Sequence, residues 1–308
     1  MKHVIAVLFI IILSVSCERD VIVDVPSQTP KLVVNGLIRV NTAFRITVSK
    51  TAGILDSTSR ASYKVANAMV QLYENNVLKD TLVYDATSNT YLVKRNTRPQ
   101  SGNTYKLMAD ATGFTTAQAE TVTPAAVSIQ SLTRRINVKK DASGNYLDEV
   151  KITFTDDGLT TNYYIIKVKR PQSFSSTGTT EYSGIYCMHS SDIDIERRNN
   201  GDPTDFENCV NQEFFMRDKN FNGRTKEILL FIQHSDIEPV LHPFTNKYLK
   251  PIVELHTITY DHYKYRKSFD AYRDAEDNPF AEPVLVYSNV KNGYGVFSTF
   301  DLARDTIR

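Results

Sequence analysis

Ser101-Gly102-Asn103-Thr104-Tyr105-Lys106-Leu107-Met108-Ala109 is the stretch whose reading decides the fold. A Ser-Gly-Asn turn leads into Tyr105, Leu107 and Ala109 at every second position, and a side-chain period of two is that of a strand with one buried face. The same pattern repeats on both sides. Short runs at Leu32 to Val40, Phe44 to Ser49, Ala68 to Tyr73, Leu78 to Tyr84, Thr90 to Lys94, Thr104 to Ala109 and Gln118 to Val122 are set off by turn residues. Asn75-Asn76 supplies a tight hairpin and Ser88-Asn89 the next break, because Asn tolerates the left-handed backbone such turns use. Seven strands suit a small β-sandwich over 31–124, and Pro124 marks its end.

A second β-rich region spans 125–308. Strands are expected at Ser131 to Val138, Glu149 to Thr155 and Asn162 to Lys169, separated by Asp141-Ala142-Ser143-Gly144-Asn145 and Asp156-Asp157-Gly158. Val150, Ile152 and Phe154 alternate as a half-buried strand does. From Pro171 to about Thr225 the pattern dissolves into polar residues, and a long ordered loop of that kind is usually functional or stapled. Strands resume at Glu227 to Gln233 and Ile252 to Thr259. Tyr265, Phe269 and Tyr272 fall at i, i+4 and i+7, so 260–275 reads as a helix laying an aromatic stripe on a sandwich edge, as core packing or as a partner-binding face. No repeat of solenoid or propeller length is present. The fold class is therefore mainly β, two immunoglobulin- or fibronectin-like sandwiches with one helix in the C-terminal region.

At the other end, Lys2 precedes the apolar run Val4 to Leu13, which closes on Ser14-Val15-Ser16-Cys17. The run falls well short of the roughly 20 apolar residues a membrane-spanning helix needs, and it matches the core of a signal peptide. Small residues leading directly to a cysteine make 1–17 a lipoprotein signal with Cys17 as the lipidated residue, although Leu13 stands four positions before the cysteine and not three. Two or more acyl chains on Cys17 give stable anchoring where one gives only marginal binding. Residues 18–30, from Glu18 to Pro30, then read as a tether.

Charge argues against two classes of partner. Removing Lys2 from the 36 Lys and Arg leaves 35 against 35 Asp and Glu, so no net field draws the mature chain to nucleic acid or to anionic lipid. With Cys17 assigned to lipid, Cys187 and Cys209 form an even pair, which in an extracytoplasmic protein is expected as a disulfide. It would close a loop of 21 intervening residues and restrain the unfolded chain by roughly 3 kcal/mol.

Catalytic motifs are missing: no nucleophile elbow, phosphate-binding loop, dinucleotide fingerprint or HExxH occurs, so no catalytic residue, metal or cofactor is assigned. Two loose sets invite metal readings. They are His256 and His262 with Glu254 and Asp261, and His234 with Asp236, Glu238 and His242; ordinary hydrogen-bonding roles are the simpler explanation of both. Asp156-Asp157 and Asp192 with Asp194 offer oxygen ligands of the kind calcium uses, but acids beside Gly more often make turns.

The phrase from Gly102 and Tyr105 to Gly113-Phe114, closing on Thr121-Val122-Thr123-Pro124, resembles an immunoglobulin-like or carboxypeptidase-regulatory-like sandwich. The run Asn278-Pro279-Phe280-Ala281-Glu282-Pro283-Val284-Leu285-Val286-Tyr287-Ser288-Asn289-Val290-Lys291-Asn292-Gly293-Tyr294-Gly295-Val296-Phe297 couples an NPFxEP turn to a strand ending in SNxxNGxGxF. With the cysteine-ended signal and the Pro30-Lys31-Leu32-Val33-Val34-Asn35-Gly36 opening, it resembles a Bacteroidota outer-membrane lipoprotein family, domain of unknown function 4249, across nearly the whole mature chain. Leu37 and Tyr294 depart from the aromatic and aliphatic residues expected there.

The resemblance implies a lipid-anchored outer-membrane accessory or binding protein, with surface display somewhat favoured. It implies a TonB-dependent receptor as partner, in uptake or envelope assembly, and names no ligand. Tyr265, Phe269, Tyr272 and Tyr294 are the candidate docking surface, although the Asn-Gly and Gly-Tyr-Gly steps of the tail first suggest a tight turn or close backbone approach. The alternatives are a stand-alone glycan- or peptide-binding module and, less favoured, a metal-dependent hydrolase using the His234 to His262 region.

Overall fold

Paired asparagines make a tight hairpin: Asn75 and Asn76 have φ of 49° and 66°, the two positive values that a two-residue turn between antiparallel strands demands. The computed structural model describes residues 29–53, 63–177, 179–185, 187–196, 213–276 and 280–308. Cys17, Cys209, Asn278 and Pro279 lie outside them. The first sandwich comprises β1 (Leu32–Arg39), β2 (Arg45–Lys50), β3 (Met69–Glu74), β4 (Val77–Asp85), β5 (Thr90–Leu92), β6 (Thr104–Asp110) and β7 (Ala117–Val122). Its strand order is β1-β2-β5-β4-β3-β6-β7.

Strand β4 joins the two layers, pairing with β3 through Val77 to Leu82 and with β5 only from Val83 to Asp85. The alternation expected at Tyr105, Leu107 and Ala109 places all three in the core, with Phe44 packed 5.1 Å from Tyr105. The Tyr105 hydroxyl donates to Glu74, and burial together with that carboxylate pushes its pKa up to about 12.

The second unit contains β8 (Ile129–Lys140), β9 (Tyr146–Thr155), β10 (Tyr163–Phe174), β11 (Thr180–Gly184), β12 (Met188–His189), β13 (Ile195–Glu196), β14 (Phe214–Arg217), β15 (Thr225–Gln233), β16 (Val240–Leu241), β17 (Tyr248–Leu249), β18 (Ile252–Ile258), helix α1 (Tyr260–Glu276) and β19 (Tyr294–Thr306). One sheet runs β12-β15-β9-β8 and the other β13-β14-β10-β18-β19. Val150, Ile152 and Phe154 meet Tyr164, Ile166, Val253 and Leu255 between them. The polar stretch after Pro171 holds more structure than its composition suggests. Strand β10 runs on to Phe174 and pairs with β11, with a register shift between Pro171 and Ser173 that accommodates a proline inside a strand.

The division at Pro124 does not separate the strands. β19 pairs in parallel with β1 from Val33↔Tyr294 to Arg39↔Phe300, then antiparallel with β18 from Ile258↔Phe300 to Ile252↔Thr306. Phe297 is buried in the first core and Ile307 in the second. One strand therefore closes both sandwiches. The tail reads in sequence as a strand ending in SNxxNGxGxF; instead 282–290 carries no ladder, and the strand begins after Gly293 and runs on past Phe297 to Thr306. Pro283 cannot donate to a ladder, and the polar groups of Tyr287 and Asn289 bond to helix α1 and β19. Gly295, at φ 107°, lies so close to β1 that a Cβ there would sit 2.1 Å from the Val34 carbonyl oxygen.

Candidate functional site

Helix α1 begins where Thr259 Oγ1 accepts the His262 N–H at 3.1 Å, and its buried residues are His262 and Tyr263. These two meet the outer face of the second sandwich, where Tyr263 packs with Ile165, Phe215 and Ile258. The face toward the sheet is thus set by Tyr263 and not by the expected stripe. Around it the helix engages carboxylates. Tyr263 donates its hydroxyl to Glu196, Arg266 pairs with Glu213, and Lys267 reaches Glu196 at 3.5 Å. Lys167 and Arg217 bind the same two acids from the sheet, at 2.6 and 2.7 Å.

Beyond this rim, Glu254 is only 1% exposed. Burial alone would raise its pKa, but hydrogen bonds from His256, Lys169 and Arg304 outweigh burial and hold the carboxyl well below the usual range. His256 stacks on Phe300 at 5.4 Å and His262 meets the same ring edge-on at 5.5 Å. Burial, then the charges of Arg266, His256 and Lys167, lowers the His262 pKa to about 3. It is a neutral, apolar-packed ring.

Residues 280–290 return along α1 as a strap. The Tyr287 N–H donates to Ser268 Oγ at 2.7 Å, and the Tyr287 hydroxyl donates to Asp261 at 2.5 Å. Asn289 Nδ2 donates to Asp261 at 3.1 Å and to the Phe297 carbonyl at 2.8 Å, while its Oδ1 accepts the Phe297 N–H at 3.0 Å. Helix, strap and shared strand are therefore one hydrogen-bonded assembly. On that strap Phe280 is 93% and Leu285 91% exposed.

Of the predicted docking residues, Tyr265 and Phe269 stack at 5.9 Å and are half-buried, whereas Tyr272 is exposed. Tyr294 belongs to the first sandwich, opposite Val33, with Lys31 Nζ 5.4 Å from its ring centroid. Sequence reasoning passed over Phe280 and Leu285 because only the fold shows that their strap leaves them in water.

The metal readings dissolve into hydrogen bonds. Asp261 serves the strap, His256 donates to Glu254, and His262 faces Phe300, so that set does not converge. In the second set, His234 lies between Asp148 and Glu238 at 3.0 Å from each, Arg134 bridges the same two acids, and Asp236 pairs with Arg170. His242 turns away to accept the Phe244 and Thr245 N–H groups.

Asp192 and Asp194 share Lys226 at 2.8 and 2.5 Å. Asp156 accepts from Tyr164 Oη, Asn162 Nδ2 and the Gly158 and Gly223 N–H groups, which makes it the hub of a turn. Among the described residues no three His, Cys, Asp or Glu side chains gather as a metal-holding set. The Cys187 sulfur lies 3.0 Å from His189 Nε2, and its expected partner Cys209 is outside the described residues.

Fold and site together define a mainly β protein of two sandwiches sharing one strand, with a helix and strap carried on the second. The chain belongs to the family described as Domain of unknown function (DUF4249), whose model matches residues 18–305. No curated protein matches it. Similar solved structures include a β-glucuronidase from Parabacteroides merdae, at 9% identity and TM-score 0.21 over 75% of this chain and 24% of that one. Another is the chitinase ChiA74 from Bacillus thuringiensis, at 9% identity and TM-score 0.21 over 74% of this chain and 30% of that one. The chain thus spans under a third of either structure. No helix among the described residues is long and apolar enough to cross a membrane.

Proposed function

We propose that this chain is a non-enzymatic, lipid-anchored accessory protein of the outer membrane that docks onto a TonB-dependent receptor through α1 and its strap. The observation that supports docking most is the exposure of Phe280 and Leu285 on a segment otherwise tied down by Tyr287 and Asn289. Large apolar side chains exposed to water stand ready for burial, and each contributes about 1.5–3 kcal/mol when a partner covers it. Anchoring is the role of Cys17, reach that of residues 18–30, and stapling of the second sandwich that of the Cys187–Cys209 pair. The glycan-binding alternative is less well supported. Among the described residues the exposed tyrosines Tyr146, Tyr248, Tyr260, Tyr272 and Tyr294 sit on four elements, β9, β17, α1 and β19, and form no row on one sheet face.

The test is co-purification from gently solubilised outer membranes, with partners identified by mass spectrometry. Wild type is compared with Cys17→Ala and with Phe280→Asp/Leu285→Asp. A TonB-dependent receptor recovered with wild type and lost with the strap variant supports the reading. Recovery of no partner, or equal recovery with the strap variant, sinks it.

A further inference from the structure

The first sandwich carries a second feature, away from the helix and strap. β4 loses its neighbour on one side at Leu82, because β5 pairs only with Val83 to Asp85 and ends at Leu92. The chain then diverges, and a cleft of about 310 Å³ opens between Leu78–Thr81 and the Lys94-Arg95 turn, lined by Leu78, Lys79, Asp80, Thr81, Lys94 and Arg95.

Its lining carries three cations, Lys79, Lys94 and Arg95, against the one carboxylate of Asp80. Asp80 is 6% exposed and spends one carboxylate oxygen on the Lys94 and Arg95 N–H groups, at 2.8 and 2.9 Å, so it shapes the turn that holds both cations. Lys79 is matched by Glu74 at 2.7 Å. Lys94 and Arg95 are exposed and form no ion pair among the described residues. Lys94, Arg95 and Thr81 thus line a cleft that also holds Asp80, on an otherwise charge-balanced protein. Arg presents paired donors that match the oxygens of a phosphate, and Lys adds a point charge.

We infer that this cleft binds a phosphate group through Lys94 and Arg95. The chemistry is shared by free phosphate and by the phosphodiester of a lipid headgroup, and the inference stands independently of the docking role. Calorimetric titration of the full chain in non-ionic detergent, at fixed ionic strength, uses inorganic phosphate in one arm and glycerophosphoglycerol, a deacylated headgroup, in the other.

Saturable binding of at least one probe is expected below about 10 mM, weakened about tenfold or more in Lys94→Gln/Arg95→Gln. It should be unchanged in Lys219→Gln/Arg224→Gln, which removes two exposed charges from the second sandwich. Tighter binding of the diester assigns the source to a lipid headgroup, and tighter binding of the inorganic ion assigns it to soluble phosphate. No binding in either arm, or equal weakening in both double variants, overturns the inference. Far-UV circular dichroism matching wild type guards against a folding defect, and a single Arg95→Lys variant retaining part of the affinity gives a second check on the cleft.

Discussion

Replacing Gly295 with Ala tests whether one strand closes both sandwiches. Two effects add at this position. The backbone has φ 107°, a region that L side chains rarely adopt, and the new Cβ would meet the Val34 carbonyl oxygen at 2.1 Å and the Asn35 Oδ1 at 2.8 Å. Left-handed strain alone costs about 1–2 kcal/mol, and overpacking against neighbours that cannot yield adds typically 1–3 kcal/mol.

Gly144 separates the terms, because it has φ 86° and open space where its Cβ would go. Gly144→Ala should therefore lose about 1–2 kcal/mol, and Gly295→Ala about 2–5 kcal/mol. The chain has no Trp, so unfolding in urea is followed by far-UV circular dichroism. Because Phe297 lies in one core and Ile307 in the other, the Gly295 variant should move the unfolding of both sandwiches. Equal losses for the two alanine variants, or a Gly295 variant that shifts only part of the transition, would refute the reasoning.

Acid should weaken the fold through His262 before the carboxylates titrate. Its pKa falls from 6.5 to about 3 on folding, so below 6.5 the unfolded chain binds a proton that the folded chain does not. Stability is fully present above pH 6.5 and drops by up to about 1.4 kcal/mol per unit as pH falls, with His256 shifted in the same direction. His262→Leu should flatten urea midpoints measured at intervals from pH 7 to about 4.5, above the ordinary carboxylate range; an unchanged slope removes His262 as the cause. Asp156→Ala strands the buried Tyr164 hydroxyl and the Gly158 and Gly223 N–H groups, while Asn162 Nδ2 keeps Asp157, and should cost about 3 kcal/mol; Tyr164→Phe removes one partner cleanly and costs about 1 kcal/mol. Equal denaturation midpoints for those two variants would show that Asp156 is not the hub. For the Cys187–Cys209 pair, alkylation and intact-mass measurement without reductant should find both thiols blocked, and loss of the bridge should cost about 3 kcal/mol; two alkylated cysteines rule it out.

Much of the secondary structure could be read locally, because strand and helix periods depend on neighbours two to four positions away. Alternation at Tyr105, Leu107 and Ala109 marked a buried face, Asn75-Asn76 marked the β3–β4 hairpin, and the stretch beginning at Tyr260 was legible as a helix. Period says which residues share a face and leaves open what covers it. The i, i+4, i+7 aromatics were therefore identified as a stripe, yet Tyr263 and His262 turned out to face the sheet.

Ion-pair partners were equally out of reach. Lys226 pairs with both Asp192 and Asp194, and Arg304 lies against Glu254, 50 residues away. The glycines of the tail signalled close approach without naming the strand approached. Composition, alternation and turn chemistry by themselves determined a β-rich chain of two sandwiches with a late helix. Only the tertiary structure decided that Tyr294–Thr306 belongs to both, since parallel pairing of Val33 with Tyr294 joins residues from opposite ends of the chain and no local pattern encodes that partner.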